Sequence, residues 1–271
     1  MQVHIFDVAL GFCAYIIADN RNTILVDCGH NDVTGFHPAD YLLARSCTGI
    51  ESFFCLNYDE DHLSGLPRLR EAGGQIPIQV MYWNPSIKPD QLRALKRKVG
   101  PLGPGMSALL EMIGGCRPVT VYPEYTNLGF TYFWNNYPHF TDTNNLSLVL
   151  FIHAPGLSII FPGDLEKAGW ISLLQRADFR QNLSRVNIFL ASHHGRESGY
   201  LEEVFGFCSP DIVIISDETK KYNTQDVDYA SHATGIRWNQ TEVRKVLTTR
   251  KDGKITITKD IGKGVWIQAA H

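Results

Sequence analysis

Asn57-Tyr58-Asp59-Glu60-Asp61-His62-Leu63-Ser64-Gly65-Leu66 is the stretch on which the reading of this chain turns. It follows Phe53-Phe54-Cys55-Leu56, a short aromatic-rich apolar run bounded by polar residues, which predicts a buried strand. Where that strand ends, three carboxylates and an imidazole crowd into four positions. Like charges so close raise one another's pKa unless a cation sits among them. A divalent metal supplies such a cation, and Asp, Asn and His are all ligands for one. The same residues also read as a polar turn entering a helix, with Asp61 or Ser64 as its N-cap. On this segment alone both readings stand.

Upstream, residues 3–8, 13–18 and 23–27 form three apolar runs joined by turn residues and predict an antiparallel meander. Residues 38–45 have helical spacing. A short helix over 65–72 should stop at Gly73-Gly74, with a strand over 76–83. The helix predicted over 90–99 carries Arg93, Lys96, Arg97 and Lys98, which read first as a solvated face and second as a binding patch. A Pro/Gly break at 101–105 precedes another helix through Ile113. The aromatic cluster at 132–137 reads as strand or core filling, with base stacking as the alternative.

Further strands end on chemically suggestive residues. The run 157–161 leads into Pro162-Gly163-Asp164-Leu165-Glu166, and 186–191 leads into Ser192-His193-His194-Gly195. Alone, the first is explained by a turn and the second by a surface histidine pair. Residues 170–183 predict one amphipathic helix, 211–216 a buried strand, and 239–247 a helix. Thr249 to Ile255 predicts a closing hairpin turned by Asp252-Gly253.

The bulk properties bound the partners. A chain of 271 residues suits one large layered domain better than two. Its 44% hydrophobic and 20% charged residues are ordinary for a globular protein. A net charge of −3 gives no global attraction for duplex nucleic acid, although bound metals would add local positive charge for a short oligonucleotide or nucleotide. Cys13, Cys28, Cys47, Cys55, Cys116 and Cys208 form no Cys-x-x-Cys pair and sit mostly in apolar runs, as free thiols in a reducing compartment do. No basic leader precedes Asp7, and no apolar run reaches membrane-spanning length, so a cytoplasmic protein without a membrane partner is expected.

The segment 57–65 resembles the metal loop of the metallo-β-lactamase fold, His-x-His-x-Asp-His followed by Gly. It is closest in pattern to the branch typified by the hydrolase domain of the competence protein ComEC, where the second His is Asp. Asp59, Asp61, His62 and Gly65 match; Asn57 stands where the pattern has His. In the same order, the chain also resembles that branch at Asp7/Gly11, Asp27/Gly29, Asn145/Ser147, Gly163/Asp164, His193/His194/Gly195 and Thr249/Gly253. Ala9 replaces a Gly, and His232 stands near the place of a Gly-His-Pro without the Gly or the Pro.

This resemblance implies an α/β fold, a four-layer αββα sandwich over 1–271 with an atypical insertion at about 84–140. It implies one ion on Asp61, His62, Asp164 and one of the paired histidines, with His193 as the ligand. A second ion would be held by Asp59, Asp164 and Asn57. Catalytic roles fall to Asp61, His194 and His232, the last as proton donor to the leaving group. Asp27 is expected to be structural, bonding the loop backbone. Two ions roughly 3.5–4 Å apart can share a hydroxide. Zn²⁺ or Mn²⁺ is expected, one or two ions, since Asn57 makes the second site rich in oxygen. The implied activity is a phosphodiesterase or nuclease acting on a small molecule, nucleotide or short oligonucleotide. The alternatives are an ester, thioester or lactam hydrolase and a degenerate binding protein.

Overall fold

Strand residues in this chain alternate between two faces, and both faces are apolar, so each sheet must be covered on both sides. The computed structural model describes residues 1–116, 118–218, 224–238, 241–260, 262 and 264–270. The first half runs β1 (Gln2–Ile5), β2 (Ala14–Ile17), β3 (Thr23–Val26), α1 (Pro38–Leu43), β4 (Ile50–Phe54), α2 (Glu60–Leu63), α3 (Leu66–Glu71) and β5 (Ile78–Tyr82). Then follow α4 (Pro89–Val99), α5 (Pro104–Gly114), β6 (Gly129–Trp134), β7 (Leu148–Ala154), β8 (Leu157–Phe161), α6 (Lys167–Leu174), α7 (Ala177–Leu183) and β9 (Ile188–Leu190). The chain continues through β10 (Ile212–Ile215), α8 (Asp226–His232), β11 (Ile236–Arg237), β12 (Val243–Arg244), β13 (Val246–Thr248), α9 (Thr249–Asp252), β14 (Lys254–Lys259) and β15 (Val265–Ala270).

Two large sheets result, in the orders β15-β14-β1-β2-β3-β4-β5 and β13-β10-β9-β8-β7-β6, and β11 and β12 form a short antiparallel pair of their own. Val3, Ile5, Ile16, Ile24 and Val26 of the first sheet meet Leu148, Leu150, Ile159, Ile188 and Ile214 of the second in a shared core. The alternate residues Tyr15, Leu25 and Phe53 turn outward under α1, α3 and α5. On the far side Val149, Phe151, Phe189 and Val213 turn outward against Trp170, Phe179 and Tyr229. The layers are therefore helix, sheet, sheet, helix, as expected, and β1, β2 and β3 are the antiparallel meander.

Three local expectations fail for tertiary reasons. The helix predicted over 170–183 is broken at Gln175-Arg176, where Arg176 is extended, lies over the Phe133 ring and bonds Asp178, so Phe179 can join the aromatic core. Of the helix predicted over 239–247, residues 239 and 240 lie outside the described residues. The rest forms β12 and β13, because Leu247 fills the core between the sheets and β13 pairs with β10. The predicted hairpin at 249–255 is a crossover: β13 belongs to one sheet and β14 to the other. Asp252 accepts from the Thr248 amide and pairs with Arg244, closing a helical turn there, and the hairpin is β14–β15.

Candidate metal centre

Strands β3 and β4 are parallel, as are β8, β9 and β10, so their C-terminal ends gather on one rim. From the end of β3, Asp27 Oδ1 accepts the Leu56 amide at 2.7 Å, which fixes the chain leaving β4. The loop is then clamped by the Cys28 amide to the His62 carbonyl and by the Gly65 amide to the Cys28 carbonyl. Gly11 and Gly29 allow a backbone approach that side chains would block: a Cβ at either would lie 2.1 Å or 2.6 Å from the Asp61 carbonyl oxygen. The loop itself becomes α2, one helical turn, so Asp61 lies within a helix and does not cap one. Ser64 instead accepts the His30 amide.

At the end of β8, the Asp164 amide donates to Ser147 Oγ. After β9, Ser192 Oγ donates to the Leu165 carbonyl at 2.6 Å, and the His193 amide to the Gly163 carbonyl. His193 and His194 then both take left-handed backbone, φ 49° and 55°. That conformation costs about 1–2 kcal/mol for each non-glycine residue, a strain that marks positions held for function.

Four side chains converge. His62 Nε2 lies 3.0 Å from Asp164 Oδ1, and His194 Nε2 lies 3.5 Å from the same oxygen. His194 Nε2 is also 3.3 Å from Asp61 Oδ2 and 3.3 Å from His62 Nε2. The far side of each ring is occupied: His62 Nδ1 meets Asp27 Oδ2 at 2.6 Å, and His194 Nδ1 meets the Ser216 carbonyl at 3.0 Å. Both partners are acceptors, so each Nδ1 carries the hydrogen and each Nε2 presents its lone pair to the shared point in the neutral ring.

Asp164 Oδ1 is buried and accepts no hydrogen bond of proper geometry. Two imidazole nitrogens facing each other and an orphaned carboxylate oxygen are costly without a cation between them. The donor set of two Nε2 atoms and two carboxylates therefore fits one divalent cation, with Asp27 and the Ser216 carbonyl holding the rings from behind.

The electrostatics agree. Burial alone would lower the His62 and His194 pKa values, but Asp164 and its neighbouring carboxylates outweigh it. His62 rises well above the usual imidazole value and His194 to about 9. Burial would raise Asp164, and the two imidazoles hold it well below the ordinary carboxylate range. Burial raises Asp27, against the pull of His62.

The other predicted site residues lie elsewhere. Asn57 is fully buried; its Oδ1 accepts the Asp59 amide at 2.7 Å, and its Nδ2 donates to Ser147 Oγ and Asn144 Oδ1. Asp59 turns to Lys96 Nζ at 2.6 Å and Thr143 Oγ1 at 3.3 Å. The set Asn57, Asp59, Asp164 is thus not brought together as ligands, and its donors do not fit a second ion. Of the histidine pair it is His194 that enters the cluster. His193 lies on its rim, with Nε2 3.8 Å from Asp164 Oδ2 and 3.0 Å from Arg196 Nη1, and with Nδ1 beside Ser198 Oγ and Glu166. His232 stacks on Phe205 and bonds the Tyr200 hydroxyl, away from these groups.

Sequence reasoning passed over three participants. Lys96 sits in a charge run that reads first as a solvated face and only second as a binding patch, Ser216 contributes only its carbonyl, and Arg196 carries no signal beyond following His-His-Gly. Lys96 had one cue: it shares a helix face with the buried Leu92, four residues earlier.

No family model and no curated protein matches the chain. Among solved structures, it is similar to the metallo-β-lactamase fold protein YhfI from Bacillus subtilis, with TM-score 0.50 and 10% identity over 98% of this chain and 99% of that one. It is also similar to the β-hydroxylase CmlA, with TM-score 0.53 and 12% identity over 94% of this chain and 53% of that one. At such identities the likeness speaks of the fold alone. The paired sheets and the layer order agree with it: the chain has the metallo-β-lactamase fold.

Proposed function

We propose that the chain is a metal-dependent hydrolase of phosphodiesters, a phosphodiesterase or nuclease of the ComEC-type branch. Its substrate would be a nucleotide, a short oligonucleotide or another small diester. The observation that carries this reading is Asp164 Oδ1, orphaned and buried between two imidazoles whose opposite nitrogens are already bonded. Asp61, His62, Asp164 and His194 would hold the ion. Two nitrogen and two oxygen donors suit Zn²⁺ or Mn²⁺ better than Mg²⁺ or Ca²⁺. When bound, a divalent ion supplies Lewis acidity, polarising the phosphoryl group and lowering the pKa of attacking water towards neutrality.

The protein's own groups do the rest. Asp27 keeps the His62 proton on Nδ1, and the Ser216 carbonyl does so for His194, so neither ring can turn away. Arg196 brings a guanidinium to the rim beside His193, suited to an anionic substrate. Burial, with Arg196 and His194 adding to it against Asp164, lowers the His193 pKa and keeps it neutral. Because Arg196 donates to Nε2, the His193 proton sits on Nδ1 towards Ser198 and Glu166, where it can be relayed. The free thiols, four of them fully or nearly fully buried, support a cytoplasmic setting.

The test compares turnover of bis-p-nitrophenyl phosphate with that of p-nitrophenyl acetate and a β-lactam, each with Mn²⁺ and with Zn²⁺. Metal-dependent cleavage of the diester above the other two supports the reading. Faster turnover of the ester or lactam overturns the substrate class, and a protein that holds no ion overturns the centre.

A further inference from the structure

We propose that this centre takes a single divalent ion, and that the ammonium of Lys96 stands permanently where a second ion's charge would act. The inference rests on the reading that Asp61, His62, Asp164 and His194 hold the first ion. Two observations carry it. Both polar atoms of the buried Asn57 side-chain amide are engaged, by the loop and by the segment leading into β7, through the Asp59 amide, Ser147 and Asn144. Asp59, the other candidate ligand, is held by Lys96 Nζ at 2.6 Å and Thr143 Oγ1 at 3.3 Å, both on the same oxygen.

Lys96 is positioned by packing. Leu92 and Leu95 are buried on one face of α4, and Lys96 lies on that face one turn after Leu92. Its side chain is only 19% exposed, against 37% for Asp59, so the ammonium is directed at the loop and not out to water. A single, partly exposed pair of this kind is worth little to stability; its consequence here is occupancy. A carboxylate already neutralised by an ammonium is a poor ligand, and a cation arriving beside Lys96 meets like charge. The atypical segment at about 84–140 thus supplies, through Lys96, a positive charge beside the loop whose pattern departs at Asn57. Asp59 and Lys96 are positioning residues of the rim; neither touches the four converging side chains.

The experiment counts ions. Metal-free protein is equilibrated with Mn²⁺ from micromolar to millimolar, and bound Mn²⁺ is measured per chain alongside its electron paramagnetic resonance spectrum. The wild type should bind one equivalent with the signal of an isolated ion, and Asp164→Ala should lose at least tenfold in affinity. Lys96→Met should admit a second equivalent at millimolar Mn²⁺, with spin coupling, and Lys96→Arg should return the count to one. Two coupled equivalents in the wild type would overturn the single-ion inference while leaving the hydrolase reading intact. One equivalent in Lys96→Met would overturn the role given to Lys96. No bound ion in a folded wild type would remove the centre itself, and the inference with it.

Discussion

Among the described residues, two clusters of two histidines and an aspartate bring their ligand atoms within 4.8 Å of one another, and they differ in what stands behind the rings. In the inner one, Asp61, His62 and His194 meet Asp164, and Asp27 and the Ser216 carbonyl bind the opposite nitrogens. In the outer one, His30, Asp32 and His37 also bring ligand atoms within 4.8 Å of one another. There, His30 and His37 stack with centroids 4.6 Å apart and planes 12° from parallel, and Asp32 is 87% exposed. Lone pairs lie in the ring plane, so parallel rings send them side by side and do not aim them at one point. The Nδ1 atoms of His30 and His37 have no hydrogen-bond partner to fix them. Burial, followed by the charges of His30 and Arg68, lowers the His37 pKa. Residue types and proximity are the same in both clusters; orientation from behind separates them.

The largest test of that difference removes a converging group. Asp164→Ala should lower diester turnover at least about 1000-fold, as loss of a group shared by the whole centre does, while circular dichroism still reports a folded protein. Near-normal turnover would mean the inner cluster is not the active centre. Asp27→Asn keeps the shape but replaces the charged acceptor behind His62. Metal affinity should fall about 10–100-fold, the usual cost of losing a carboxylate behind a ligating histidine. An unchanged affinity would erase the distinction drawn between the clusters.

Protons compete with the ion in the inner cluster. His194 holds its proton up to a pH of about 9 in the metal-free protein. Binding therefore releases protons at neutral pH, and affinity should rise with pH until about 9 and fall below it, by about tenfold per unit for each proton displaced. Titration calorimetry in buffers of different ionisation enthalpy measures that release. A buffer-independent heat would contradict it.

His4 supplies a reference ring with no carboxylate behind it. Burial first, then Lys254 and Arg45, lowers its pKa to about 4. A lowered folded value means full stability above the unfolded value of about 6.5 and a loss as pH falls through about 4. His4→Gln should flatten the fall in Tm between pH 6.5 and pH 4 by a few degrees. The smallest expected effect is in the outer cluster: the double variant His30→Ala/His37→Ala should bind the same number of ions as the wild type. Loss of an equivalent there would show that proximity alone suffices.

Near-continuous apolar runs along β2, β3 and β8 are enough to read those strands, because each is buried on both faces and its pattern is local. Asp61, His62, Asp164 and the histidine pair were legible as well, because each group follows the end of an apolar run and motif order survives in the chain. Which of His193 and His194 turns inward was decided by left-handed backbone and by the Ser216 carbonyl, contributed from another strand. The commitments of Asn57 and Asp59 were likewise hidden, since Lys96 is 37 residues from Asp59 and Ser147 is 90 from Asn57. The strand identity of β13 and the crossover after it depended on pairing with β10 and on the space left for Leu247. Periodicity and strand-end chemistry are properties of neighbours in the chain, so the sequence alone carried them. Where a side chain's hydrogen bonds go depends on which distant segments the sheets bring beside it, and only the tertiary structure decided that.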